Sequence, residues 1–182
     1  MNIVFLVEER SMKYLLEAIL PKILPAEIGV KIIAHSGKSD LQNSIPRKLI
    51  GWNIPDTKFV ILQDQDSADC KEIKARLRSI SDVRGKNPLI RIVCRELESW
   101  YFGDLQAVSE AYGKDLSSLA RKRKYRIPDN IGNPKEELKR LLPLHQQLSG
   151  ARKIGALMNI EENTSESFQQ FIAGLKQLIT IT

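Results

Sequence analysis

The chain has 182 residues, 42% of them hydrophobic, which is enough to bury a core in one ordinary domain and too much for a disordered chain. Its 28 Lys and Arg against 22 Asp and Glu leave a net charge of +6, compatible with nucleic acid but common among soluble proteins. No run of about 18 apolar residues is present, which excludes a transmembrane helix. Two cysteines, Cys70 and Cys94, sit in unrelated sequence contexts with only His35 and His145 beside them, which argues against zinc and for a reducing cytoplasmic setting.

Ile3 to Val7 predicts a buried strand closed by Glu8 and Glu9, and with no basic leader before it the start reads as a first strand rather than a signal peptide. Ser11 is placed to cap a helix carrying Leu15, Leu16, Ile19 and Leu20 at helical spacing, ended by Pro21 and Pro25. Val30 to Ala34 predicts a second strand, and Asp40 to about Ile50 a helix interrupted at Pro46. Phe59 to Leu62 is a third strand, followed by a helix from Ala68 to about Ser81, and Leu89 to Val93 is a fourth strand. Strands alternating with helices imply a mostly parallel sheet. Beyond Arg95 the pattern is helical: about Asp104–Tyr112, Leu116–Lys124, Pro134–Leu142, Gln146–Met158 and Ser165–Ile179, with Asn133 and Pro134 suited to N-cap and first position. The expected organisation is an α/β core over residues 1–104 and a helical extension over 105–182 packed on it.

The third strand carries the densest chemistry. Phe59, Val60, Ile61 and Leu62 suit a strand buried on both faces, and the run then breaks into Asp64, Asp66 and Asp69. Three carboxylates so close repel one another unless solvent, hydrogen bonds or a cation offsets the cost. Ligands of open α/β sheets bind at the carboxyl ends of strands, so a divalent metal site is one reading, with Mg²⁺ natural for all-oxygen ligands. The other reading is helix capping, with Ser67 or Asp66 as the cap. A calcium loop does not fit, because the sixth position lacks glycine and the twelfth lacks Glu. Glu8 ends the first strand, and Glu96 and Glu98 follow the fourth, so a parallel sheet would bring all five carboxylates to one edge.

A lone Glu after one strand and an acidic pair after another is the Toprim arrangement, and the chain resembles the Toprim domains of topoisomerases, primases and overcoming-lysogenization-defect nucleases. It resembles more closely the Toprim-like family called domain of unknown function 4276. The landmarks are Val7-Glu8, Asp64-Gln65-Asp66 with Asp69-Cys70, the segment Arg95 to Asp104 containing Glu-Leu-Glu-Ser-Trp, Asn133 to Glu136, Gly150-Ala151 and Ser165 to Phe168. The resemblance implies a Toprim-like four-stranded α/β fold and Mg²⁺- or Mn²⁺-dependent cleavage of nucleic acid, DNA ahead of RNA. It also implies a P-loop ATPase partner in a defence-type system. Asp64 and Asp66 would be the main metal ligands, Glu8 the general base or acid and a ligand, and Glu96 or Glu98 would complete a second metal site. Toprim proteins commonly place Gly after the first Glu; Glu9 stands there in this chain, which either adds a ligand or crowds the site.

The cluster Arg121, Lys122, Arg123, Lys124 and Arg126 is a candidate grip on phosphates, with a solvated helix face as its plainer meaning. Trp100, Tyr101 and Phe102 could stack on bases, although at least two of the three are expected in the core. His145 is expected to be structural. Two functions compete with the nuclease: a catalytically silent interaction module of the same fold, and a small-molecule phosphohydrolase with Asp64 as nucleophile.

Overall fold

Four apolar runs become four parallel strands in the computed structural model, which describes residues 1–180. They are β1 (Asn2–Val7), β2 (Gly29–Ala34), β3 (Thr57–Asp64) and β4 (Leu89–Val93), ordered β2-β1-β3-β4. Helices α1 (Arg10–Ile19), α2 (Lys38–Gly51) and α3 (Cys70–Ser81) connect them. The remaining helices are α4 (Glu98–Phe102), α5 (Leu105–Tyr112), α6 (Pro134–Leu141), α7 (Gln147–Leu157) and α8 (Glu166–Thr180). The fold is thus α/β with an all-parallel sheet flanked by helices, as the strand–helix alternation predicts. No helix among the described residues is long and apolar enough to cross a membrane.

Alternation along the strands divides the core. Phe5, Val7, Val60, Leu62 and Val93 face one apolar cluster shared with Leu15 of α1, Ile154 of α7 and Phe168 and Phe171 of α8. Val4, Leu6, Phe59, Ile61 and Ile90 face the other, built on Leu41 and Ile45 of α2 and Ile73 and Leu77 of α3. The larger cluster therefore draws on residues from both sides of position 104. Register sets the functional edge: Val7 lies opposite Ala34 and Leu62, and Asp64 opposite Val93, so all four carboxyl ends fall together.

Several local expectations change. Glu9, not Ser11, occupies the N-cap of α1, and the Ser11 hydroxyl donates instead to the Glu9 carboxylate. Helix α2 runs through Pro46, because Leu41, Ile45 and Leu49 are buried on both sides of it and anchor the helix. Helix α3 starts at Cys70 rather than Ala68: Asp69 is its cap, accepting from the amides of Lys71 at 2.8 Å and Glu72 at 3.1 Å. The helix expected over Leu116–Lys124 is two short 3₁₀ turns, Ser117–Arg121 and Arg123–Tyr125. Its four consecutive basic residues supply no apolar side chain to anchor an α-helical face.

The aromatic segment is entirely structural. Trp100, Tyr101 and Phe102 are all buried, so none is free to stack on a base. Trp100 stacks on Phe171 with centroids 5.3 Å apart, meets Phe168 edge-on at 5.1 Å, and donates from Nε1 to Ser167 Oγ at 2.9 Å. Gly103 then lets Asn163 approach so closely that a Cβ would strike its Oδ1 and come within 2.9 Å of the Ser165 backbone nitrogen. Asn163 Nδ2 in turn donates to the Trp100 carbonyl at 2.8 Å.

Candidate functional site

Asp64 is the last residue of β3, and its side chain falls on the face covered by α1 and α7. It is 7% exposed, and its Oδ1 is buried with no hydrogen-bond partner among the described residues. An unpaired buried carboxylate oxygen is costly, and sites that tolerate one are commonly completed by an ion, water or substrate. Glu8, one residue past β1, reaches the same point: its Oε2 accepts from the Asp64 backbone N–H at 3.1 Å.

Two more carboxylates crowd this pair. Glu9 turns toward α7, where its Oε1 accepts from Gln147 Nε2 at 3.0 Å as well as from Ser11. Glu98, at the start of α4, is 2% exposed. Burial is the first cause in each shifted group. It raises Glu8 to about 7, eased by the Asp64 amide and Lys38 and reinforced by Asp66 and Glu9. It raises Glu98 to about 7, with Lys135 easing and Glu96 and Glu9 adding to the rise. It holds Asp64 well above the usual carboxylate range, with Glu8, Glu9, Glu98 and Asp66 all pushing the same way. The Tyr101 hydroxyl is buried beside them with no hydrogen-bond partner among the described residues, and stays protonated far above its ordinary range through burial and the charges of Glu98, Glu9 and Asp64.

Asp66 lies at the rim. It takes a left-handed backbone with φ of 52°, stabilised by its N–H donating to the Arg95 carbonyl at 2.6 Å; Arg95 is itself left-handed at 60°. Strained non-glycine turns of this kind cost of order 1 kcal/mol and mark places where a side chain must be aimed. The Asp66 carboxylate is ion-paired to Lys38 at the start of α2. Glu96 accepts from the Lys135 amide at 3.0 Å, beside the N-terminus of α6.

The structure therefore brings Glu8, Asp64 and Glu98 together with Asp66 on the rim, and turns Glu96 to a structural contact. It adds Gln147 and Lys38, which the sequence does not single out and which arrive through packing of α7 and α2 on the edge; Glu9, noted as the departure after the first Glu, lies here too, and Tyr101 enters as a buried hydroxyl rather than a base-stacking ring.

As the side chains stand, no three His, Cys, Asp or Glu residues among the described residues are gathered as a ready-made metal cage. Mg²⁺ does not require one, since it keeps several waters and is commonly held by one or two carboxylates with substrate phosphates. An orphaned Asp64 oxygen beside Glu8 fits that minimal donor set.

The basic cluster is exposed on the 3₁₀ turns. Lys124 is already used, at 2.6 Å from Glu137 Oε2, and Arg126 Nε donates to the Arg121 carbonyl at 3.4 Å. Arg121, Lys122 and Arg123 form no ion pair among the described residues. His145 is structural: its Nδ1 hydrogen-bonds the Tyr112 hydroxyl at 2.6 Å, and burial and Lys135 depress its basicity. Contrary to their unrelated sequence contexts, Cys70 and Cys94 line one groove, and burial pushes the Cys94 thiol up to about 12, with Asp129 and Cys70 contributing.

Residues 7–176 match the family described as domain of unknown function DUF4276. The chain belongs to that family. The match runs from the last residue of β1 into α8, so the carboxyl edge of the sheet and all the carboxylates above lie within the DUF4276 region. No curated protein and no solved structure matches the chain. The family description carries no activity, and the functional reading rests on the site.

Proposed function

We propose that this DUF4276 protein is a divalent-metal-dependent nuclease of Toprim-like type that hydrolyses phosphodiester bonds. The observation that carries the reading is the buried, unpartnered Asp64 Oδ1 at the end of the central strand, with Glu8 hydrogen-bonded to the same residue. Asp64 and Glu8 would hold Mg²⁺ or Mn²⁺, with Asp66 joining on release from Lys38 and Glu98 behind them. A bound ion of this kind polarises a phosphate and stabilises the attacking and leaving oxygens. Glu8, the more accessible of the buried carboxylates, handles the proton of the attacking water or leaving group. Tyr101 presents a hydroxyl that stays a donor, and the packed aromatics behind it keep water from that side.

Arg121, Lys122 and Arg123 supply unpaired positive charge for the substrate backbone, DNA ahead of RNA. The reading includes a cytoplasmic location, supported by the free thiols Cys70 and Cys94, and cooperation with a P-loop ATPase. The test is calorimetric titration with Mg²⁺ and Mn²⁺, followed by a cleavage assay with and without such a partner. Stoichiometric binding that is lost in Asp64→Asn, with metal-dependent cleavage lost in parallel, supports the reading; no metal binding at millimolar concentration sinks it.

One observation favours a second reading. The Lys38 ammonium already neutralises Asp66, as an internal cation does in a silent interaction module. In that case Lys38→Ala does not improve metal affinity, whereas in the nuclease it frees a ligand.

A further inference from the structure

Strand β4 is an open edge: it pairs with β3 and has no second neighbouring strand among the described residues, while α3 packs on one side and α8 on the other. Two adjoining grooves run along it, of about 600 and 800 Å³, and both are lined by Lys74, Ile90 and Arg91. The far groove adds Arg78 and Lys86, and the near one adds Lys71, Arg95 and Gln65, the residue between Asp64 and Asp66 in the chain. Lys71, Lys74 and Arg78 follow i, i+3, i+7 spacing on α3, so they form one stripe facing the edge.

Six cations thus line a continuous groove, and none makes an ion pair among the described residues. Three acidic residues also line the grooves, against six cations: Asp129 is spent on Ser165 and Ser167, and Asp82 and Glu166 make no ion pair among the described residues. Lys74 loses basicity through burial and the like charges of Arg91 and Arg78, the mark of cations held together without an anion.

Arg91 is built into place. Its Nε donates to the Gln170 carbonyl at 2.9 Å and its Nη1 to the Ile90 carbonyl at 3.1 Å. Its guanidinium lies across Gly174 of α8, where a Cβ would sit 2.5 Å from Nη2. A glycine inside a helix is unfavourable against alanine. Charged residues on an edge strand also guard against strand addition, but that role needs only Arg91 and leaves the α3 stripe unexplained.

We infer that this groove carries the phosphate backbone of a nucleic acid along the β4 edge to the carboxylates at its end. The inference rests on the nuclease reading for its direction, though not for its binding. A strand-adding peptide would use the same open edge, but the excess of unpaired cations favours the polyanion.

The experiment measures binding of fluorescent single-stranded and duplex oligonucleotides in EDTA across a salt series, for wild type, Lys74→Gln/Arg78→Gln and Arg121→Ala/Lys122→Ala/Arg123→Ala. Both groove positions are on the surface of α3, and a matched thermal melt confirms folding. The groove double variant is expected to weaken low-salt binding about tenfold and to lower the magnitude of the log–log salt slope by about two for duplex. Unchanged affinity and slope in the groove variant overturns the inference, as does failure of wild type to bind either oligonucleotide while an extended acidic peptide binds. Groove-dependent binding without cleavage under any metal upholds the groove and sinks the nuclease reading; cleavage indifferent to the groove variants does the reverse.

Discussion

The Glu8 carboxylate accepts a hydrogen bond from the backbone N–H of Asp64, 56 residues further on, at 3.1 Å. That bond ties the end of the first strand to the end of the third and fixes the spacing of two carboxylates on neighbouring strands. Register makes it possible, because Val7 lies opposite Leu62 and the chain after each strand leaves the sheet at the same edge. The donor is a backbone group, so the Asp64 side chain remains free for another partner.

Asp64→Asn is nearly isosteric and removes one negative charge from a buried, crowded position. In chelator the variant melts at a higher temperature than wild type, because burial and the charges of Glu8, Glu9, Glu98 and Asp66 no longer oppose an ionised group there. On the proposed function the order is expected to reverse in millimolar Mg²⁺, because the ion would stabilise wild type and not the variant. Paired thermal melts with and without the ion check both signs. A variant less stable than wild type in chelator would show that the Asp64 charge has a favourable partner.

Glu8→Gln keeps an acceptor for the Asp64 amide but cannot take up a proton. For the proposed nuclease, cleavage by the variant is expected to fall roughly a hundredfold or more in kcat while KM for the oligonucleotide stays within a few-fold. Single-turnover kinetics at saturating metal separates this from weakened ion binding. Equal loss in Glu8→Gln and in metal affinity would make Glu8 a ligand only.

Much of this edge was legible from sequence and part was not. The apolar runs give the strands, and parallel connection brings Glu8 and Asp64 together, because position along a buried strand is dictated by alternation and register. Glu96 and Glu98 look equivalent in sequence but separate in the fold. Glu98 enters the core at the start of α4, while Glu96 turns out to the Lys135 amide. Which way a carboxylate turns after a strand depends on the helix that arrives later, and α6 is nearly forty positions away. For the same reason Lys38 and Gln147 have no local signature: each is brought to the edge by the packing of its helix. Within the acidic run Asp69 caps α3, while Asp64 keeps one buried oxygen without a hydrogen-bond partner among the described residues.

Glu137 is the counter-example of a buried carboxylate with its charge satisfied. It accepts from Lys124 Nζ at 2.6 Å, from Arg140 Nη2 at 2.6 Å and from the Tyr125 hydroxyl. Arg140 is the first cause that holds it down to about 2, with burial opposing and Lys124 and Tyr125 assisting. A depressed carboxylate stabilises the fold above its unfolded value of 4.5, and the contribution is lost as pH falls toward about 2. Glu137→Gln therefore costs about 2 kcal/mol at pH 7, the scale of hydrogen bonds to charged groups. The gap between variant and wild type narrows steadily from pH 5 to pH 2 in chemical denaturation. A gap independent of pH would assign the loss to packing.

The last prediction separates helix propensity from the seating of Arg91. Gly174→Ala alone gains about 1 kcal/mol of helix propensity. It also drives the guanidinium off α8, since the new Cβ would sit 2.5 Å from Nη2, and with it go the bonds to the Gln170 and Ile90 carbonyls. Each such bond contributes about 1 kcal/mol net, so the loss offsets or exceeds the gain and the single variant is neutral to destabilised. The displaced atom is the far end of a flexible side chain, so the backbone does not need to move and the fold survives. In an Arg91→Ala background the three closest contacts, all from the Arg91 side chain, are gone, and the same Gly174→Ala change should stabilise by the full propensity term. The double-mutant cycle is then expected to show a coupling of about 1 kcal/mol or more between positions 83 residues apart in sequence, read by urea denaturation. Oligonucleotide binding in EDTA falls in Gly174→Ala even where stability does not, because Arg91 no longer faces the groove at a fixed position. A cycle that closes to zero would mean that Arg91 is not seated on Gly174, and the β4 groove would lose its one built contact.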